Sequence, residues 1–325
     1  MIKKLLILLL LLFLVFMATV LFNQQQIMHP KRRTLQAYHY EWLEHPEQHS
    51  MKIIKIEKHP EILIVKFNAN VPRSKRAKKI ETELLSKGYS PEELKDNGIM
   101  MLFHGKNGRK EDLLPVAERY VTAGFTCILV DLPAHGENFS EKLRYGQGLD
   151  ASLYEEVLMV VQNKIEVKNQ PLYFWGMSLG GAYAISSSQH DKRVFQEPKA
   201  VILVATFDKL SHVLKEKSVK IFGDYLGKAL YRALSFSLQT FYNFDPEKAD
   251  SASTAQTIDL PVFMLHGKKD ALIGYQHGEV LFNSFPNQAK EFHLDEQGNH
   301  HNILVTEYPF YLESIDFLLK LQHKN

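Results

Sequence analysis

The sequence predicts an α/β fold: a mostly parallel sheet with helices covering both faces. From residue 99 onward, short strands alternate with amphipathic helices, and those strands are apolar on both faces, as in "IMMLFH" and "FTCILVD". A chain of 325 residues with 45% apolar content is long enough to fill the core that such a sheet needs.

The N-terminus comes first in that order. Residues 5–22, "LLILLLLLFLVFMATVLF", carry no charge and no proline. As a helix this run is about 27 Å long, enough to cross a bilayer core. A cleaved signal peptide has a shorter apolar core and a small-residue cleavage site, and "ATV" followed by "NQQQ" supplies neither. The expectation is therefore an uncleaved transmembrane anchor over 1–22. Lys3 and Lys4 precede the span, while Lys31, Arg32 and Arg33 follow after a neutral gap. The nearer pair favours an N-terminus inside and a domain on the exported side, periplasmic or extracellular.

Residues 23–50 lack a periodic apolar pattern and read as a linker, so the catalytic domain is expected over 51–325. "MKIIKIEKH" and "EILIVKFNAN" alternate apolar and polar residues around a His-Pro pair, which predicts an antiparallel hairpin. A basic run over 73–79 reads as a solvated face, and "SPEEL" at 90–94 as a helix start with a capping box. Strands are predicted over 99–104, 125–131, 172–175, 200–205, 261–266 and 290–294. Helices are predicted over 111–124, 151–163, 179–189, 276–285 and 308–321. Between 206 and 258 the alternation stops, and an aromatic-rich helical stretch reads as a lid insertion.

Net charge is +2, and no basic module is apparent, so nucleic acid is not an expected partner. The single cysteine, Cys127, lies in an apolar strand and reads as a small buried hydrophobe.

The chemistry is concentrated around Ser178. Gly176-Met177-Ser178-Leu179-Gly180 is a G-x-S-x-G with a strand before it and a helix after it, the context in which a sharp turn lifts the serine hydroxyl above the sheet. A serine needs a base to take its proton and a carboxylate to orient that base. Strand-end loops supply them in the order Ser, Asp, His: Asp270 in "LHGKKD", then His300 and His301 in "GNHHN". Asp208 is the rival carboxylate, and Asp270 is favoured because its turn follows the strand nearest the histidine loop. His301 is favoured over His300. Developing negative charge on a substrate carbonyl requires two backbone N–H donors. Leu179, directly after the serine, is expected to give one, and Lys106 in "HGKNG" the other, with Asn107 in reserve. His104, His135 and His266 lie at strand ends but lack paired ligand spacing, so no metal is expected.

Together these segments resemble the α/β-hydrolase superfamily over roughly residues 99–325. "DLPAHGENFS" at 131–140 is similar to the family's D-x-P-G-H-G-x-S, with Ala134 in place of the usual glycine. "GNHHN" is similar to the G-x-G-H-N loop, which implies His301 as the base because it directly precedes Asn302. The type most resembled is a single-span, membrane-anchored serine hydrolase that acts on esters or acyl lipids without a cofactor. Peptidase or acyltransferase chemistry on the same triad, and a non-catalytic binding protein of this fold, are the competing expectations.

Overall fold

The computed structural model describes residues 2–189 and 195–323, so the outermost ends of the expected anchor and domain, Met1 and 324–325, lie outside the described residues. Eight strands form one sheet: β1 (Met51–Lys55), β2 (Ile62–Phe67), β3 (Gly98–Phe103), β4 (Phe125–Val130), β5 (Leu172–Met177), β6 (Pro198–Val204), β7 (Val262–Gly267) and β8 (Lys290–Asp295). Their order is β1-β2-β4-β3-β5-β6-β7-β8. The predicted hairpin is β1–β2, with Met51 opposite Phe67, and β2 joins β4 antiparallel. Every other neighbouring pair is parallel.

Strand alternation divides the core into two layers. Ile99, Met101 and Phe103 of β3 face the layer closed by α5 (Leu153–Val161), α6 (Leu179–Ser188) and α9 (Tyr275–Ser284). Met100 and Leu102 face the layer closed by α3 (Lys75–Ser86), α4 (Leu114–Thr122) and α10 (Phe310–His323). Both sheet faces are dry, which is why the central strands show no polar alternation.

The insertion expected as a lid is α7 (Leu210–Tyr242) followed by α8 (Ser251–Ala255). Gly223, at φ 75° and ψ 173°, breaks α7 into two segments. Its neck is tied by Leu210 N–H to Ala249 O at 2.9 Å and by Lys209 to Glu247 and Asp250.

The N-terminal apolar run is one helix, α1 (Ile2–Met28), with its leucines exposed and only Val20, Gln24, Ile27 and Met28 buried. The inner end of α1 meets the second segment of α7, where Ser237 bonds Gln24 and Tyr242 Oη donates to Gln25 Oε1 at 3.0 Å, while Tyr145 Oη donates to Ile27 O at 3.1 Å.

Two expectations require correction. Residues 23–50 are not a free linker. Arg32 donates to the carbonyls of His135, Gly136, Asn138 and Ser140, and α2 (Ala37–Glu44) places buried Trp42 in a stack on His49 with ring centroids 3.6 Å apart. The segment looked irregular because its contacts are single polar anchors and one tryptophan rather than a periodic face. Residues 90–94 form a hydrogen-bonded turn, not a helix. Glu93 does accept from Ser90 N–H at 2.8 Å, but Asp96 and Gly98 take left-handed φ and stop propagation.

Candidate active site

Ser178 stands where β5 meets α6 at the sheet's centre, with φ 54° and ψ −117°. A serine tolerates that conformation only if its surroundings fix it. Its N–H donates to Val204 O of β6 at 2.8 Å. A side chain on Gly180 would collide with the backbone of Phe103 and His104, and one on Gly176 with Gly180 itself. The glycines therefore allow strand, turn and helix to close on one another.

Asp270 follows β7. Its Oδ1 accepts from Leu272 N–H at 2.9 Å and Ile273 N–H at 2.8 Å, and its Oδ2 accepts from His300 Nδ1 at 2.7 Å. Burial by itself would raise this carboxyl, but the His300 bond and the two amides outweigh it and hold it below the usual aspartate value. A carboxylate only accepts, so the proton sits on Nδ1 and leaves His300 Nε2 with its lone pair. The two loops are locked together by Lys269 N–H to Gly298 O at 2.9 Å.

His301, the expected base, is exposed and makes no contact with Asp270, whereas His300 is 8% exposed. The cause is Asn299, whose Oδ1 accepts from His301 N–H at 2.9 Å and Asn302 N–H at 3.1 Å. That turn aims residue 300 inward and residue 301 out, one position earlier than the resemblance to G-x-G-H-N implies. Asp208, the rival carboxylate, is bound by His277 Nδ1 at 2.5 Å and His212 Nδ1 at 2.7 Å, and belongs to a different cluster.

Gly105, after β3, abuts the nucleophile loop: a Cβ there would lie 3.7 Å from Ser178 Cβ. This sets Lys106 beside Ser178. Asn107, the reserve donor, already gives its N–H to His135 Nε2 at 3.1 Å. Leu179 opens α6, where a first-turn N–H has no intrahelical acceptor.

The strand-end histidines are tied into the loops. His104 Nδ1–H donates to Gly105 O at 2.8 Å while Nε2 accepts from Leu132 N–H at 3.1 Å. His135 Nδ1–H donates to Pro133 O at 2.9 Å, and burial with neighbouring His104 lowers its pKa to about 3. Both rings are neutral struts, and His266 bonds Ile273 O at 3.0 Å. No metal-binding group of three or more His, Cys, Asp or Glu side chains occurs among the described residues.

Ser178, Leu179, Lys106 and His300 line one cavity of about 640 Å³. Phe207, Leu210, Val213, Leu214, Leu272 and Ile273 give it an apolar wall. The first α7 segment forms part of that wall, and Arg33, five residues beyond α1, reaches its rim. Neither the wall nor Lys217 at the same mouth was assigned from sequence; the helical spacing of Leu210, Val213, Leu214 and Lys217 was the available signal.

Comparison with known proteins bears on the fold. The Hydrolase_4 family model, described as serine aminopeptidase, S33, matches residues 95–240. An uncharacterized 31.7 kDa protein of the traX-finO intergenic region of Escherichia coli is 23% identical over 268 residues, covering 69% of this chain and 92% of that protein. Among solved structures, the Pyrococcus furiosus esterase Pf2001 superposes with a TM-score of 0.58 at 15% identity, covering 90% of this chain and 99% of that one. A bacterial membrane phospholipase A superposes with a TM-score of 0.51 at 16% identity, covering 98% and 99%. With its strained strand–helix serine and its sheet order, the chain has the α/β-hydrolase fold.

Proposed function

We propose that this protein is a membrane-anchored serine hydrolase that cleaves carboxylic esters of acyl chains through an acyl-enzyme. The observation that carries the reading is convergence: strained Ser178 and Asp270-oriented His300 line one cavity with an apolar wall. In this mechanism His300 Nε2 takes the Ser178 hydroxyl proton as Oγ bonds to the ester carbon. The Lys106 and Leu179 amides hold the oxyanion, and the imidazolium returns its proton to the departing alcohol. Water then repeats the sequence in reverse roles and releases the acid.

The apolar wall supports an acyl chain, and exposed α1 leading directly into the domain supports anchoring near a lipid source. An esterase and a membrane phospholipase among the similar structures support the same substrate class. The family description favours a peptidase as the second reading.

The test is hydrolysis by the full-length protein of p-nitrophenyl esters from butanoate to palmitate, beside aminoacyl p-nitroanilides. Ester cleavage that strengthens with chain length supports the proposal. Cleavage of anilides alone, or of neither, overturns it.

A further inference from the structure

The mouth of the active-site cavity holds two lysines without a counter-charge. Lys106 comes from the loop after β3, and Lys217 from the first segment of α7, and both line this cavity. Among the described residues, neither ammonium makes an ion pair or a hydrogen bond. Among the described residues the only acid lining the cavity, Asp112, is already engaged by Arg33, Tyr38, His39 and the Arg109 amide.

Lys110, four residues from Lys106, shows how this chain treats a structural buried lysine: it is enclosed by Asp131 at 2.9 Å, Glu111 at 2.9 Å and Glu137 at 2.5 Å. Lys106 has no such shell. Burial and the nearby Lys217 charge lower its pKa to about 8. Half-buried Lys106 and exposed Lys217 put two like charges on the lining of one cavity, and their positive potential is one that a bound anion relieves.

We propose that Lys106 and Lys217 form an anion-binding subsite that receives a phosphate or carboxylate borne by the ester substrate itself. This rests on the ester-hydrolase reading. Because the Lys106 amide is the assigned oxyanion donor, its ammonium reaches only one side-chain length from the reacting carbonyl. The anion therefore sits a few bonds from the scissile ester, as in an acyl glycerol phosphate, while the acyl chain lies along Leu210, Val213 and Leu214.

The test compares 1-hexanoylglycerol with 1-hexanoylglycerol 3-phosphate on the full-length protein in neutral detergent, reading kcat/KM from released hexanoate. The phosphate ester is expected to be favoured by about tenfold or more at low ionic strength, with the preference shrinking as salt rises. Lys217→Glu removes that preference, and a thermal midpoint matching wild type shows that the variant is folded. Inorganic phosphate at matched concentration inhibits neutral-ester cleavage only weakly. Equal rates on both esters, or a preference that survives Lys217→Glu, overturns the subsite and leaves the hydrolase intact. Inhibition by free phosphate as strong as by the phosphate ester overturns recognition of a substrate-borne anion. Failure to cleave either ester, with no fluorophosphonate adduct on Ser178, removes the hydrolase reading and the subsite with it.

Discussion

The imidazole of His300 donates to Asp270 Oδ2 at 2.7 Å from a position 8% exposed, while His301 stands in solvent with its ring nearly perpendicular, at 88°. One residue of register separates a placed base from a surface side chain. His300→Ala is expected to lower kcat by about 10³–10⁴, and His301→Ala by no more than a few-fold. Steady-state kinetics on a short-chain p-nitrophenyl ester reads both, and comparable losses in the two variants contradict the assignment.

The Asp208 cluster ties the helical insertion to the sheet through a titratable group. His277 joins Asp208 of the β6–α7 connection to Glu216 of α7, at 2.5 and 3.0 Å. Burial pulls the His277 pKa down, but the two carboxylates outweigh it and raise it above 6.5. A raised folded pKa means that the stabilisation is fully present below the unfolded value and is lost as pH rises through the folded one. Asp208, held below its ordinary value, keeps its charge throughout that range. His277→Gln should therefore lower the thermal midpoint by about 3–6 °C at pH 6 and by much less at pH 9. A deficit that grows with pH contradicts this.

Ala134 is the position where glycine is usual in the resembled motif, and it sits at φ 64°. A left-handed alanine costs about 1–2 kcal/mol, part of which a glycine returns as unfolded-chain entropy. Ala134→Gly is expected to stabilise the protein by about 0.5–1 kcal/mol in urea unfolding. A destabilisation would show that the loop is held by something other than backbone strain.

The segment after the N-terminal apolar helix yields a truncation experiment. A fragment starting at Met51 loses Arg32, His39 and Trp42, the last packed on His49 and beneath Arg76 at 5.5 Å. Removing a buried tryptophan alone costs about 3–5 kcal/mol. A fragment starting at Asn23 should keep a cooperative melt near that of the full chain, and one starting at Met51 should melt well below it. Equal midpoints contradict the docked role of residues 23–50.

How much of this was legible follows from what each contact is made of. The sheet was legible because β3 and β4 must bury both faces, which leaves a continuous apolar run in the sequence. The strained serine was legible because only small residues fit where Gly176 and Gly180 meet backbone. The 23–50 segment was not, because Arg32 holds carbonyls, and a carbonyl carries no side-chain signature. His300 was missed because its orientation depends on the Asn299 side chain capping a turn, a local geometry that a motif compared by spacing does not encode. The Lys106–Lys217 pair joins a loop to a helix of the insertion more than a hundred residues away, so only the folded chain brings it together.

The central claim is that Ser178, His300 and Asp270 act as one unit, and covalent trapping tests it most directly. Full-length wild-type protein treated with an alkyl fluorophosphonate, digested and read by mass spectrometry, should carry the adduct on Ser178. The His301→Ala variant should label at a similar rate, and His300→Ala should label slower by about 10³-fold. An adduct absent from folded wild type, or formed as fast in His300→Ala as in wild type, would contradict the account.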